Sequence, residues 1–233
     1  MARLKKEDQH SARKGEILDV AQRLISTKGY EQMTIADILA ELEISKGAFY
    51  HYFDSKSALL DALIERMLVE AKAMLLPIFD NPTLSALEKI QRWFEATARW
   101  KTDRKDYLLS ILRVWYHDDN AVVIQKLRAD VLGWISPQVA RVVHQGIEEG
   151  VFTTAYPDHV GQVVFSLLYD LGERLARMIL SSGANADDLP NARATAAAYT
   201  DALERALGAP RGSLVLVDME TMREWFVSPI AVA

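Results

Sequence analysis

Apolar residues recur three and four positions apart along almost the whole chain, the spacing of one helical face. The first such segment covers about 11–28. Ile17, Val20, Ala21, Leu24 and Ile25 form its stripe, and Gly29 is placed to end it. Thr34 and Ser45 stand where helix N-caps belong, which predicts two short helices over about 35–42 and 46–52. Asp37, three residues after Thr34, takes the acidic position of a capping box. Asp54 or Ser55 caps a fourth helix, from about Lys56 to Leu76, and Pro77 is expected to stop it. Further helical spacing falls near 84–101, 104–117, 120–149, 157–181, 189–207 and 214–226. No segment alternates apolar and polar over a useful length. The run Leu214–Val217 could be a strand, but positions 214, 217, 222, 225 and 226 fit a helix better. The fold class is therefore all-α. No internal repeat is present, so solenoids and propellers drop out.

Composition narrows the chemistry. The 233 residues contain no cysteine, which excludes disulfides, thiolate metal sites and thiol catalysis. No apolar run follows the basic N-terminus, so no signal peptide is expected, and no stretch suggests a membrane span. A cytoplasmic address is the expectation. Net charge is −5, but it is unevenly spread. Residues 1–60 are neutral and residues 1–14 alone carry +3, a basic arm that can meet a polyanion on an otherwise acidic chain.

The most informative block is Thr34 to Lys56, TIADILAELEISKGAFYHYFDSK. Two short capped helices lie a few residues apart, a spacing suited to a helix-turn-helix (HTH). Ile38, Leu42, Ile44 and Phe49 supply apolar contacts between them, and Phe49 and Phe53 share an inner face. Lys46, Gly47 and Tyr50 fall on another face, with His51 beside them. Gly47 and Ala48 would let the helix approach a groove floor closely. Tyr50, His51 and Tyr52 can donate to phosphate oxygens while their rings pack on sugars or thymine methyls. Lys56 adds a point charge. A plain helical hairpin with half-buried aromatics is the competing reading of these residues.

The block resembles the TetR family of bacterial transcriptional regulators. The resemblance rests on Ala21, Leu24, Gly29-Tyr30, Thr34, Ile38, Ile44 through Phe53, Ser55-Lys56 and Leu59-Leu60, and covers roughly 50 of the 233 residues. It implies a three-helix HTH domain over 1–59, with its HTH at about 34–53, and a larger helical domain over 60–233 for effector binding and dimerisation. By position, Lys46, Gly47 and Ala48 would face base edges, with Ser45 at the helix start. Thr34, Tyr50, His51, Tyr52 and Lys56 would clamp phosphates. The arm Arg3 to Lys14 would add backbone or minor-groove contacts. Glu43 stands where the family usually has glycine, and a left-handed backbone there would cost about 1–2 kcal/mol. Leu39 and Leu42 replace the alanines common in that helix.

The implied partners are a double-stranded DNA operator, a second copy of the chain and a small-molecule effector, with no cofactor, metal or membrane. Interface candidates are Gly161, Phe165, Leu168, Gly172 and Ala176 on one helix, and Ala196, Tyr199 and Leu203 on another. Pocket candidates are Trp93, Trp100, Arg113, Trp115, Tyr116, Trp134, Phe165 and Tyr169, with His117, Gln145 and Glu173 as polar anchors. His144 and Glu148, four apart, could share a cation, but no convergent ligand spacing accompanies them. No hydrolase elbow, P-loop, zincin or dinucleotide motif is present. An all-α enzyme, or an adaptor using the Tyr/His surface for a protein partner, is the alternative function.

Overall fold

The computed structural model describes residues 2–115, 121–182 and 185–227, with side chains placed for 10–113, 125, 127–181 and 185–227. Among these residues every regular element is helical: α1 (Ala2–Lys28), α2 (Ile35–Leu42), α3 (Lys46–Tyr50), α4 (Lys56–Phe79), α5 (Ala86–Thr102), α6 (Lys105–Trp115), α7 (Ala121–Glu148), α8 (Pro157–Ser182), α9 (Leu189–Leu207) and α10 (Met219–Phe226). A single 3₁₀ turn, Ala186–Asp188, leads into α9. No described helix is long and apolar enough to cross a membrane.

Two compact units result. One comprises the chain up to Glu70 together with Asp106–Val114; the other holds Ala71–Lys105 and the described chain after α6. The division falls inside α4 rather than at 59/60, so one continuous helix contributes residues to both units.

The first unit is built on the apolar stripe of α1. Ile17, Ala21 and Ile25 are fully buried with Ile38 of α2, Phe49 of α3 and Leu59 of α4. Truncating one such side chain typically costs about 2–5 kcal/mol. Arg66 of α4 secures α1 by donating to Asp19 at 2.6 Å, to the Leu18 carbonyl at 3.3 Å and to Gln22. Nearby, burial pushes the Tyr107 hydroxyl up to about 12.

The second unit packs α5, α7, α8, α9 and α10 together. Gly161 lets α8 close on α7: a Cβ there would lie 2.6 Å from the Ser136 carbonyl oxygen. Phe152 similarly occupies the space over Gly146. A part-buried polar knot joins the start of α5 to the end of α7. Lys89 donates to Gln145 at 2.8 Å, Gln145 donates to the Leu84 carbonyl at 2.9 Å, and Glu149 accepts from the Ala86 N–H at 2.9 Å.

The first helix begins at Ala2 rather than near 11, and two helix limits of the second unit are also corrected. Pro77 does not end α4, which runs on to Phe79. A proline there removes one backbone donor near the helix end, and the extension buries Phe79 against Trp93. The expected helix 214–226 begins only at Met219, capped by Asp218 accepting from the Thr221 N–H at 2.8 Å. Upstream, Glu204 takes the N–H groups of Gly212 and Leu214 at 2.9 and 3.0 Å, and Gln91 takes that of Val215 at 2.9 Å. Those donors are engaged outside any helical ladder, so the segment stays irregular while Leu214 and Leu216 remain buried.

Candidate nucleic-acid interface

The HTH forms because each short helix is fixed by its cap. Thr34 Oγ1 accepts from the Asp37 N–H at 3.2 Å, while the Asp37 carboxylate accepts from the Thr34 N–H at 2.7 Å and its hydroxyl at 2.8 Å. Lys28 closes on the same carboxylate at 2.6 Å. The Lys28 hydrogen bond, then those of Thr34, hold Asp37 down at about 2. Glu43 ends α2 in the left-handed region at φ 51°, ψ 42°. The Ile44 N–H returns to the Leu39 carbonyl at 3.1 Å, the 6→1 bond of a Schellman turn. Ser45 then caps α3, its hydroxyl accepting from the Ala48 N–H at 3.2 Å.

This turn leaves one face of α3 open. Phe49 and Phe53 point inward and are buried. Lys46, Gly47, Tyr50 and His51 are exposed, and Ala48 and Tyr52 are half-buried. The Lys46 ammonium lies 5.8 Å from the centre of the Tyr50 ring. A side chain at Gly47 would meet nothing nearer than the Ser45 hydroxyl at 3.9 Å. Regular α3 ends at Tyr50 rather than at 52, though the Tyr52 and Phe53 N–H groups both still bond back to Phe49 at 2.9 and 3.1 Å.

Two expected phosphate contacts are otherwise employed here. The hydroxyl of Thr34 both donates and accepts within its capping box. Lys56 donates to the Glu31 carbonyl at 3.2 Å and lies 4.4 Å from the Tyr30 ring centre, while Tyr30 reaches the Lys56 carbonyl at 3.4 Å. Burial lowers the Lys56 ammonium from its ordinary value and raises the Tyr30 hydroxyl. Lys56 thus fastens the loop before α2. One residue of this face is not apparent from sequence. His10 of α1 stacks on Tyr52 at 4.6 Å and meets His51 edge-on at 5.5 Å between ring centres. Forty-one positions separate His10 from His51, and no local pattern relates them.

The interface candidates divide by burial within the second unit. Gly161, Phe165, Ala176, Ala196 and Leu203 are buried in this unit's own core, so most of their surface is already covered within one protomer. Each lies on the inward stripe of its helix. Leu168, Gly172 and Tyr199 are half-buried, and the Tyr199 hydroxyl is bonded to Asp170 and, at 2.7 Å, to Arg174. The outward faces are different residues. An open cleft of about 410 Å³ on α8 is lined by Asp170, Glu173, Arg174, Arg177, Met178 and Ser181. A second, of about 400 Å³, is lined by Leu189, Pro190, Arg193, Ala194, Ala197 and Met219.

Among the described residues of the second unit, the pocket candidates do not gather into one enclosure. Trp93 packs with Phe79 and Phe94, and Trp134 meets Phe79 from another side. Phe165 pairs with Tyr169, which carries Arg128 over its ring at 4.6 Å. Trp100 is covered by Arg104, and Arg113 is exposed in the first unit. None of these residues lines either cleft. The side chains of Trp115, Tyr116 and His117 lie outside those described. Of the remaining anchors, Gln145 is taken up by Lys89, and Glu173 pairs with Arg177 at 3.5 Å. His144 bonds Asp158 at 2.8 Å, and no cluster of three metal-ligating side chains occurs among the described residues.

Comparison with known proteins bears on this geometry. Residues 17–63 match the family described as bacterial regulatory proteins, tetR family. Over 172 residues the chain is 29% identical to the HTH-type transcriptional repressor KstR2 of Mycobacterium tuberculosis, covering 70% of this chain and 78% of that one. It is 36% identical over 80 residues to the HTH-type transcriptional regulator EthR of Mycolicibacterium smegmatis, covering 34% and 35%. A TetR transcription regulator from Haloarcula marismortui superposes with a TM-score of 0.65 at 21% identity, covering 82% of this chain and 98% of that one. A TetR-family regulator from Pectobacterium atrosepticum gives 0.61 at 19% identity, covering 95% and 98%.

Proposed function

Because the chain is a DNA-binding transcriptional regulator of the TetR family, we propose that it acts as a dimeric repressor, released from a palindromic operator by a small-molecule effector. The observation that carries the DNA face is the capped, outward side of α3. Ser45 fixes its start, Gly47 leaves room for a groove floor, and Lys46, Tyr50 and His51 stand exposed around it. Tyr50 and His51 would hold backbone phosphates, which set register, while Lys46 and the surface over Gly47 and Ala48 would meet base edges.

A palindromic site needs two heads about 34–36 Å apart. Self-pairing through the outward faces of α8 and α9 would supply them. Those faces offer small side chains at Ala194 and Ala197, and both signs of charge at Asp170, Glu173, Arg174 and Arg177. Release would run through α4, which contributes residues to both units. An effector held in the second unit acts by binding the released form more tightly. Moving the balance from 1:99 to 99:1 takes about 10⁴-fold preference. KstR2, a repressor by name, supports repression over activation. A cytoplasmic place follows from the DNA partner.

The test is selection of binding sites from random DNA with the purified protein. A pseudo-palindrome with half-sites one helical turn apart supports the reading. Recovery of single half-sites, with a monomer in solution, refutes the dimer. Operator binding unaffected by Tyr50→Ala and Lys46→Ala together refutes the assigned face.

A further inference from the structure

The N-terminal unit contains two of the chain's five histidines, and its fold brings them together. His10 comes from α1 and His51 from the end of α3. Their rings meet edge-on at 5.5 Å, and Tyr52 closes the group against both, at 4.6 Å from His10 and 5.2 Å from His51. Both histidines are exposed. Among the described residues, neither imidazole nor the Tyr52 hydroxyl has a hydrogen-bond partner. Three rings that each carry a hydrogen-bonding group therefore lie together beside the proposed DNA face.

We propose that His10, His51 and Tyr52 form a clamp for one phosphodiester of bound DNA, with His10 the member that α1 contributes. The inference rests on the DNA face proposed above. Its chemistry follows from the pairing. Histidine is the side chain whose charge ordinarily changes near neutrality. A phosphodiester anion within reach of both rings favours the charged form of each. The phosphate would lie against the exposed edges of the two rings, not between them. Binding DNA thus takes up protons, and affinity rises as pH falls.

The surrounding charges do not supply this dependence. On α1, Arg13 is paired with Glu16, and Lys14 lies 5.6 Å from the Phe53 ring centre. On the other side stand Lys46 at the start of α3 and Asp54 just after Phe53. Arginine and lysine stay charged, and aspartate and glutamate stay ionised, over the range in which histidine titrates. His144 and His159 belong to the other unit.

The test uses the full chain and a random-sequence duplex of about 40 bp, because phosphate contacts are independent of sequence. Binding is followed by fluorescence anisotropy near pH 6 and pH 8 over a range of salt. The wild type is expected to bind about tenfold more tightly near pH 6, with a log K–log salt slope steeper by about 0.9 for each additional phosphate neutralised. His10→Gln loses most of the tighter binding and the added slope. His10→Phe keeps a ring on Tyr52, so it retains the affinity near pH 8 but does not tighten at pH 6; this separates a charged contact from packing. His144→Gln keeps the wild-type profile. A wild type that does not tighten, or His10 variants that still do, overturns the clamp. If Tyr50→Ala with Lys46→Ala leaves binding unchanged at both pH values, the DNA face itself is wrong. If that pair weakens binding while the His10 variants behave as wild type, only the clamp fails.

Discussion

Replacing Gly161 by alanine separates a core contact from an interface contact. The added Cβ would lie 2.6 Å from the Ser136 carbonyl oxygen, 3.1 Å from its Cα and 3.2 Å from its carbonyl carbon. Ordinary contact starts at 3.4 Å, so α8 must draw back from α7 by most of an ångström. The obstacle is backbone, which cannot rotate away. Overpacking of this kind costs about 1–3 kcal/mol. Alanine's better helix propensity returns about 0.5–1 kcal/mol. A net loss of about 1–2 kcal/mol is expected, lowering the thermal midpoint by roughly 2–8 °C for a domain of this size. Gly133→Ala on α7 is the control. It is exposed, its Cβ would meet nothing, and it should stabilise by up to about 1 kcal/mol. Calorimetry over a hundredfold range of protein concentration gives the decision, because a defect in pairing fades with concentration and a defect in the core does not. A Gly161→Ala protein as stable as wild type, or one whose deficit disappears at high concentration, refutes the packing argument.

Three other outcomes follow from features of the same structure. Glu43→Gly relieves a left-handed non-glycine worth about 1–2 kcal/mol but loosens the unfolded chain by up to about 1 kcal/mol, so urea denaturation should show a small net stabilisation; a loss would mean the Glu43 side chain contributes more than its backbone costs. Asp37 is held at about 2 in the fold against 3.8 ordinarily, so its contribution is complete above pH 3.8 and fades as pH falls from there through about 2. Asp37→Asn should flatten that part of the acid-unfolding curve, and an unchanged curve would reject its role. Glu204→Ala strands the buried N–H of Leu214, at about 1–3 kcal/mol, and releases that of exposed Gly212 to water, so it should make 209–218 the first site of limited proteolysis; unchanged cleavage would show that the carboxylate does not hold the segment.

The HTH is legible in the sequence because its determinants are local. Thr34, Asp37 and Ser45 act within three residues of themselves, and the stripe Ile17–Ile25 keeps its period over two turns. The family pattern lies in the same stretch. What sequence does not reveal is anything set by distant partners. Periodicity shows that α8 has two apolar faces but not which of them the protomer covers itself, so Gly161 and Phe165 look equally suited to a second copy. Pro77 obeys its local rule less than it obeys the burial of Phe79 against Trp93. The irregular path through 212–218 depends on Glu204 and Gln91, and the latter is 124 positions from Val215. His10 joins the α3 face for the same kind of reason.

The empty space at Gly47 separates two demands that proteins usually must meet together. Because no neighbour constrains a side chain there, residue 47 can change with little effect on the caps or on the Phe49 core. Mutational drift at this position would alter what a groove meets while leaving folding almost untouched. After duplication of its gene, one copy could acquire a new operator by a single codon change while the other kept the old. The short helix would then serve as an evolvable dial on an unchanged frame.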